Sequence, residues 1–167
     1  MTSLTADITV SVYGAYVGSG DVSNPSQTIN YSKLMQVTPG TSSGQADLYF
    51  EDTRTVSASS SENLDLAGVL TDRFGNTLTF VKVKAIVVYA ESANTNSVNV
   101  GGAASNGFTA PFADSTDIIS IKPGGVFVWT NPTGSTVTAS TGDILKVANS
   151  SSGTSVTYTI QIIGTSA

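Results

Sequence analysis

Six of the chain's twelve carboxylates, Glu51, Asp52, Glu62, Asp114, Asp117 and Asp143, are the side chains considered for acid–base chemistry. A glycosidase needs only two carboxyls at a suitable separation, so a pair drawn from these six is chemically allowed, although no separation can be read from their spacing. The chain holds no histidine and no cysteine. That removes every triad built on them, the thiolate nucleophile, the disulfide, and the commonest zinc, copper and haem ligand sets. Asp114 and Asp117 flank Ser115-Thr116 and offer oxygens of the kind calcium takes. A calcium loop, however, gathers more acids around a fixed glycine, and an Asp-initiated turn accounts for both residues. Glu51 and Asp52 with Arg54 read as an ion pair on a solvated strand face, an arrangement that adds little stability. Gly101-Gly102 and Gly124-Gly125 lack the strand–loop–helix setting of a phosphate loop and are turns. These residues assign no catalytic, metal-binding or cofactor-binding role, and the chain is expected not to be an enzyme.

Aromatic side chains are the remaining candidates for a site. Phe127 and Trp129 in VFVWT share one face of a strand, opposite Val126, Val128 and Thr130. They suit either a sugar-stacking or partner-binding platform or a core, and the core is favoured because a lone tryptophan usually fills a β-sandwich. Tyr13, Tyr16 and Tyr31 flank a stretch rich in Gly, Ser, Asn and Pro, and tyrosine suits surfaces that meet a partner. With Leu34 and Met35 they form the candidate interface of the chain.

The elements that must position these residues are strands. TADITVSVY alternates strictly, with Ile8, Val10 and Val12 on one face of a half-buried strand. Residues 14–45 carry breakers every few positions and read as an extended arm or long loop, with one short strand near residues 29–35. Order resumes at Ala46 with an alternating strand, and from Val81 to Ile163 the chain is strand after strand, each closed by Gly, Pro, Asn or Ser. Val81 to Ala90 turns apolar on both faces at Ile86 to Val88, as a strand entering the middle of a sheet does. Lys122-Pro123-Gly124-Gly125 predicts a type II reversal, and Asn131-Pro132-Thr133-Gly134 predicts a strand stop. Phe108 and Phe112 are placed to plug one end of the core. Leu66, Leu70 and Phe74, four residues apart, predict one short helical turn. The expected fold is all-β, an antiparallel β-sandwich of jelly-roll type with an immunoglobulin-like sandwich as the second choice, comprising residues 46–167 and preceded by the 1–45 strand and arm.

Composition agrees with that class. The 167 residues suffice for one core without a staple, and 24 Ser and 23 Thr against 11% charged residues suit solvated strand faces and turns. A net charge of −5 leaves no basic stripe for phosphate, so nucleic acid is not an expected partner. The opening residues lack the plan of a secretory signal, and the longest apolar run, Ala85 to Ala90, is far too short to span a bilayer. The chain is expected to be soluble, made in the cytoplasm, with no membrane partner. The sequons at Asn30 and Asn149 arise easily in so serine-rich a chain.

The run DLAGVLTDRFGNTLTFVKVKAIVVYAES, followed by DSTDIISIKPGGVFVWTNPTG, TGDILKVANSSSG and VTYTIQIIG, is similar to small virion proteins of tailed bacteriophages, among them capsid decoration, or cement, proteins. The resemblance spans about Asp65 to Gly164 and rests on the style and order of strands and turns, not on a catalytic signature. It implies a non-enzymatic β-sandwich on the outer surface of a phage head, often a homotrimer, clamping neighbouring major capsid protein subunits. The expected partners are then the capsid and a sister subunit, reached through residues 1–45 and the anchors Tyr13, Tyr16, Tyr31, Leu34 and Met35. The alternative is a carbohydrate- or receptor-binding module of a head or tail fibre.

Overall fold

Alternating side chains become strands throughout a computed structural model of the chain, which describes residues 3–167 and has no helix among them. In chain order the strands are β1 (Ala6–Val17), β2 (Ser26–Pro39), β3 (Gln45–Ala46), β4 (Leu48–Val56), β5 (Ser61–Asp65), β6 (Ala67–Thr71), β7 (Thr77–Thr79), β8 (Lys82–Ala90), β9 (Val98–Gly101), β10 (Ile118–Ile121), β11 (Val126–Thr136), β12 (Ile144–Asn149) and β13 (Val156–Thr165).

Eight of these strands form the body as two four-stranded antiparallel sheets. One has the order β4-β13-β8-β11 and the other β5-β12-β9-β10, and neither closes on itself. Their inner faces share one core, in which Phe50, Ile86, Val88, Ile160 and Ile162 from the first sheet meet Leu64, Val98, Val100, Leu145 and Val147 from the second. The arrangement is sandwich-like. Each such side chain, fully withdrawn from water, contributes about 1.5–3 kcal/mol, and this apolar contact is what holds two sheets together. The doubly apolar β8 does lie inside its sheet, between β11 and β13. The Lys122–Gly125 reversal also forms as its residues require: Gly125 donates to the Lys122 carbonyl at 2.8 Å while Gly124 takes φ +76°, the conformation a type II turn needs at that place.

Three expectations are corrected by the structure. The four-residue spacing of Leu66, Leu70 and Phe74 marks a small hairpin, β6–β7, and not a helical turn. Asp72 closes its tip by accepting from the backbone N–H of Phe74 and Asn76, and Gly75 takes φ +83°. Leu66, Leu70 and Leu78 are buried, whereas Phe74 is 81% exposed, so the three residues never shared a helix face. The strand β11 does not stop at Asn131–Gly134. It bulges there and resumes pairing at Ser135 with Val83, which is possible because β11 is an edge strand that can carry Pro132. Finally, residues 14–45 are not mainly loop. β1 and β2 pair residue for residue from Ala6↔Val37 to Val17↔Ser26, making a long two-stranded ribbon with a short tip at residues 18–25.

Candidate functional site

The ribbon is fixed to the body only at its root. Ala6, Ile8, Met35 and Val37 pack with Leu4, Ala46, Tyr49, Ala85 and Ile163 in a second, smaller apolar cluster on the outward face of the β4-β13-β8-β11 sheet. Beneath it the Lys84 ammonium is fully buried and donates to the carbonyls of Ser42 and, at 2.6 Å, Gln45. Burial, then the nearby Lys82 charge, holds the Lys84 pKa below the ordinary lysine value, with Asp47 acting in the opposite sense. Lys84 thereby ties the segment after β2 to a central strand of the body.

Beyond the root the ribbon leaves the body with apolar side chains in water. The register puts Val10 beside Lys33, Val12 beside Tyr31, Gly14 beside Ile29 and Tyr16 beside Gln27 on the face that continues the buried root. Val12 is 53% exposed, Tyr31 52% and Tyr16 73%, and the Lys33 ammonium stands 5.9 Å from the Tyr31 ring centroid. The half-buried strand expected at Ile8, Val10 and Val12 is therefore half-buried only at Ile8. The opposite face is mostly polar: Gln36 donates to Asp7 at 3.0 Å and the Ser11 and Ser32 hydroxyls lie 3.1 Å apart. Of the candidate interface residues, Tyr16, Tyr31 and Met35 fall on the apolar face, with Met35 packed on its own body. Tyr13, 67% exposed, and Leu34 fall on the polar face. Val10, Val12 and Ile29 complete the surface; in the sequence Val10 and Val12 read as a half-buried strand face, and none of the three as interface. The alternation Ile29, Tyr31, Lys33, Met35, Val37 against Ile8, Val10, Val12 is the signal that carries them.

The carboxylates are distributed differently. Glu51 and Asp52 on β4 and Glu62 on β5 gather at one open edge of the two sheets, where Arg54 bridges Asp52 and Glu62: Nη1 lies 2.8 Å from Asp52 and Nη2 2.6 Å from Glu62. Tyr158, wholly buried, donates to the other Glu62 oxygen at 2.9 Å. Burial, then the Glu62 charge, pushes the Tyr158 phenol far above its ordinary pKa. The expected ion pair thus exists for Asp52 and Arg54, but it reaches across to the second sheet and acts as a seam. Glu51 instead accepts from Tyr49 and faces Arg73 at 3.4 Å. A cleft of about 590 Å³ opens over this edge, lined by Glu51, Asp52, Arg54, Asp65, Asp72 and Arg73 among others. Its acids are engaged: Asp65 accepts from Ala67 N–H and Asp72 closes the β6–β7 tip. Asp114 and Asp117 lie far along the chain in the loop before β10, where Asp114 accepts from Thr116 N–H and Ser115 and Thr116 hydroxyls, the expected turn. Asp143 is buried at the start of β12 and accepts from Ser140 N–H.

Phe127 and Trp129 face inward. Trp129 meets Phe108 edge to face at 6.3 Å between centroids, and Phe108 and Phe112 close that end of the core as expected. The side chain that would stack on a sugar is thus packed against the protein's own interior. Asn149, one of the two sequons, is buried, with its amide donating to Val56, Ser57 and Thr154 carbonyls. No family model matches the chain, and no curated protein or solved structure is significantly similar to it.

Proposed function

We propose that this chain is a non-enzymatic structural protein of a phage virion that binds the outer surface of the head and stabilises contacts between major capsid subunits. The observation that carries the reading is the β1–β2 ribbon, a long hairpin that leaves the body with an apolar face in water. An isolated two-stranded ribbon is marginal in water, and an apolar face of this kind on a soluble body marks a contact surface. The body would be of jelly-roll type. Counting the eight body strands in chain order from β4, the pairs are first with eighth, second with seventh, third with sixth and fourth with fifth. That nesting is a long antiparallel ribbon of strands rolled onto itself, which supports the jelly roll over the immunoglobulin-like alternative. A body so bonded presents a rigid platform, and repetition over a lattice multiplies modest contacts into firm attachment.

The test is cosedimentation of the purified chain with heads of the phage that encodes it, assembled without this protein. Wild-type chain is expected to bind saturably to the outer surface. The double variant Val12→Asp, Tyr31→Asp is expected to bind at least about tenfold more weakly, or ~1.4 kcal/mol. Wild-type chain that fails to bind such heads would overturn the virion role.

A further inference from the structure

The loop between β9 and β10 holds two neighbouring residues that can react with each other. Asn106 is followed by Gly107, and the chain has no other Asn-Gly pair. Asn24 and Asn131 precede proline, which has no N–H, and the remaining asparagines precede residues whose side chains crowd the backbone nitrogen that would attack. Asn106 is exposed and takes a left-handed φ of +55°. Its side-chain amide bonds to no other described residue, so the Cγ carbon stands open to attack. The Gly107 N–H is free as well. Gly107 forms an isolated parallel bridge with Ile144, whose bonds run from Ile144 N–H to the Asn106 carbonyl and from Phe108 N–H to the Ile144 carbonyl, each at 2.8 Å. The N–H of the bridging residue itself therefore points away and donates to no described residue. Asp143 N–H also donates to the Asn106 carbonyl, at 2.9 Å. Two donors on that oxygen stabilise the negative charge that the Asn106–Gly107 peptide group takes when its N–H is lost, and so favour the deprotonated nitrogen that is the nucleophile.

We infer that Asn106 and Gly107 are a self-modification site: the folded chain converts Asn106 to aspartate and isoaspartate without an enzyme, and the isoaspartate form loosens the end of the core that Phe108 closes. The inference does not depend on the virion role. In the first step the Gly107 nitrogen bonds to Asn106 Cγ, and the side-chain nitrogen leaves as ammonia with the proton given up by Gly107. A cyclic succinimide remains. Water then opens it, giving aspartate where the new Cγ–N bond breaks and isoaspartate where the original backbone C–N bond breaks. No oxidant or cofactor takes part. Isoaspartate carries the main chain through Cγ and lengthens it by a methylene. The carbonyl that Asp143 and Ile144 hold then belongs to a free carboxylate and no longer leads to Gly107, so Phe108 loses its register against Ile144. Phe108 is the ring that Trp129 meets edge to face.

Native chain held at neutral and at mildly alkaline pH in water enriched in oxygen-18 tests this by peptide mass mapping. Asn106 is expected to become both acid isomers, each carrying heavy oxygen, ahead of every other asparagine and faster at the higher pH. Gly107→Ala is expected to slow the conversion at least about tenfold, because a methyl group crowds the attacking nitrogen. The added Cβ would lie 3.3 Å from Ala103 Cβ, a contact that a small shift relieves, and circular dichroism checks the fold. Should that variant misfold, a synthetic peptide of residues 103–109 gives the rate without the fold, and the native chain is expected to react no more than about tenfold more slowly. Emission of Trp129, the only tryptophan, is expected to move to longer wavelength in step with isoaspartate. An Asn106 that stays an amide in the native chain while the peptide reacts, or a folded Gly107→Ala chain that reacts as fast as wild type, would overturn the inference. Isoaspartate at residue 106 with unchanged Trp129 emission would overturn its effect on the core.

Discussion

Lys84 ties the segment after β2 to a central strand of the body, and its chemistry makes that tie sensitive to pH. Its ammonium is enclosed with two backbone carbonyls as partners, and burial holds its pKa below the ordinary lysine value. The folded chain therefore loses this proton at a lower pH than the unfolded chain does. Below the folded pKa both states are protonated and the full cost of the enclosed charge is present. As pH rises from there towards the ordinary lysine value near ~10.4, the unfolded state binds more protons, so stability rises with pH in that window. Urea midpoints of wild type and Lys84→Met, measured at neutral and alkaline pH, should show wild type gaining on the variant as pH rises. Wild type that falls back relative to the variant, or keeps a constant difference from it, as pH rises would contradict a lowered lysine pKa in the folded chain. Arg54 works differently, since it ties Asp52 and Glu62 across the open edge of two sheets and is partly exposed to solvent. Its value lies in joining β4 to β5, the strands at the edge of each sheet.

The ribbon divides into a root held by the body and a distal half exposed on both faces, and the two halves should open independently. Amide exchange under monomeric conditions should be at least about tenfold faster in residues 10–17 and 26–33 than in residues 35–37, because local stability follows buried apolar contact. Uniform protection along the hairpin would contradict the division. The same element explains what the sequence withheld. The strict alternation of residues 5–13 revealed β1, but its partner β2 lies beyond a tip of Gly, Ser, Asn and Pro, and such punctuation reads as loop. The pairing of Ile8 with Met35 is a long-range fact that no local pattern contains, so tyrosines grouped as one interface turn out to lie on two faces. At two places in the body, by contrast, local chemistry was sufficient. Lys122-Pro123-Gly124-Gly125 forces its reversal, and the doubly apolar run of β8 demands an interior place in its sheet. The edge strand β11 misled for a physical reason: Pro132 needs no ladder partner at an edge, so a sequence that reads as a stop is only a bulge.

Taken entire, the molecule joins a bonded body whose polar groups are largely committed to its own seams and turns with one projecting element whose apolar side chains have nothing of their own to cover. The clustered acids of the β4–β5 edge serve to close the two sheets, and Trp129 and Phe108 close one end of the core. The net charge of −5 disfavours non-specific association between copies of the body. The proposed virion role is tested most directly by image reconstruction of heads of the phage to which that proposal assigns the chain. It should show this two-sheet body on the outer surface, with Val12 and Tyr31 of each ribbon buried against a neighbouring protein. Heads without the body, or a bound body whose ribbons stand free in solvent, would contradict it.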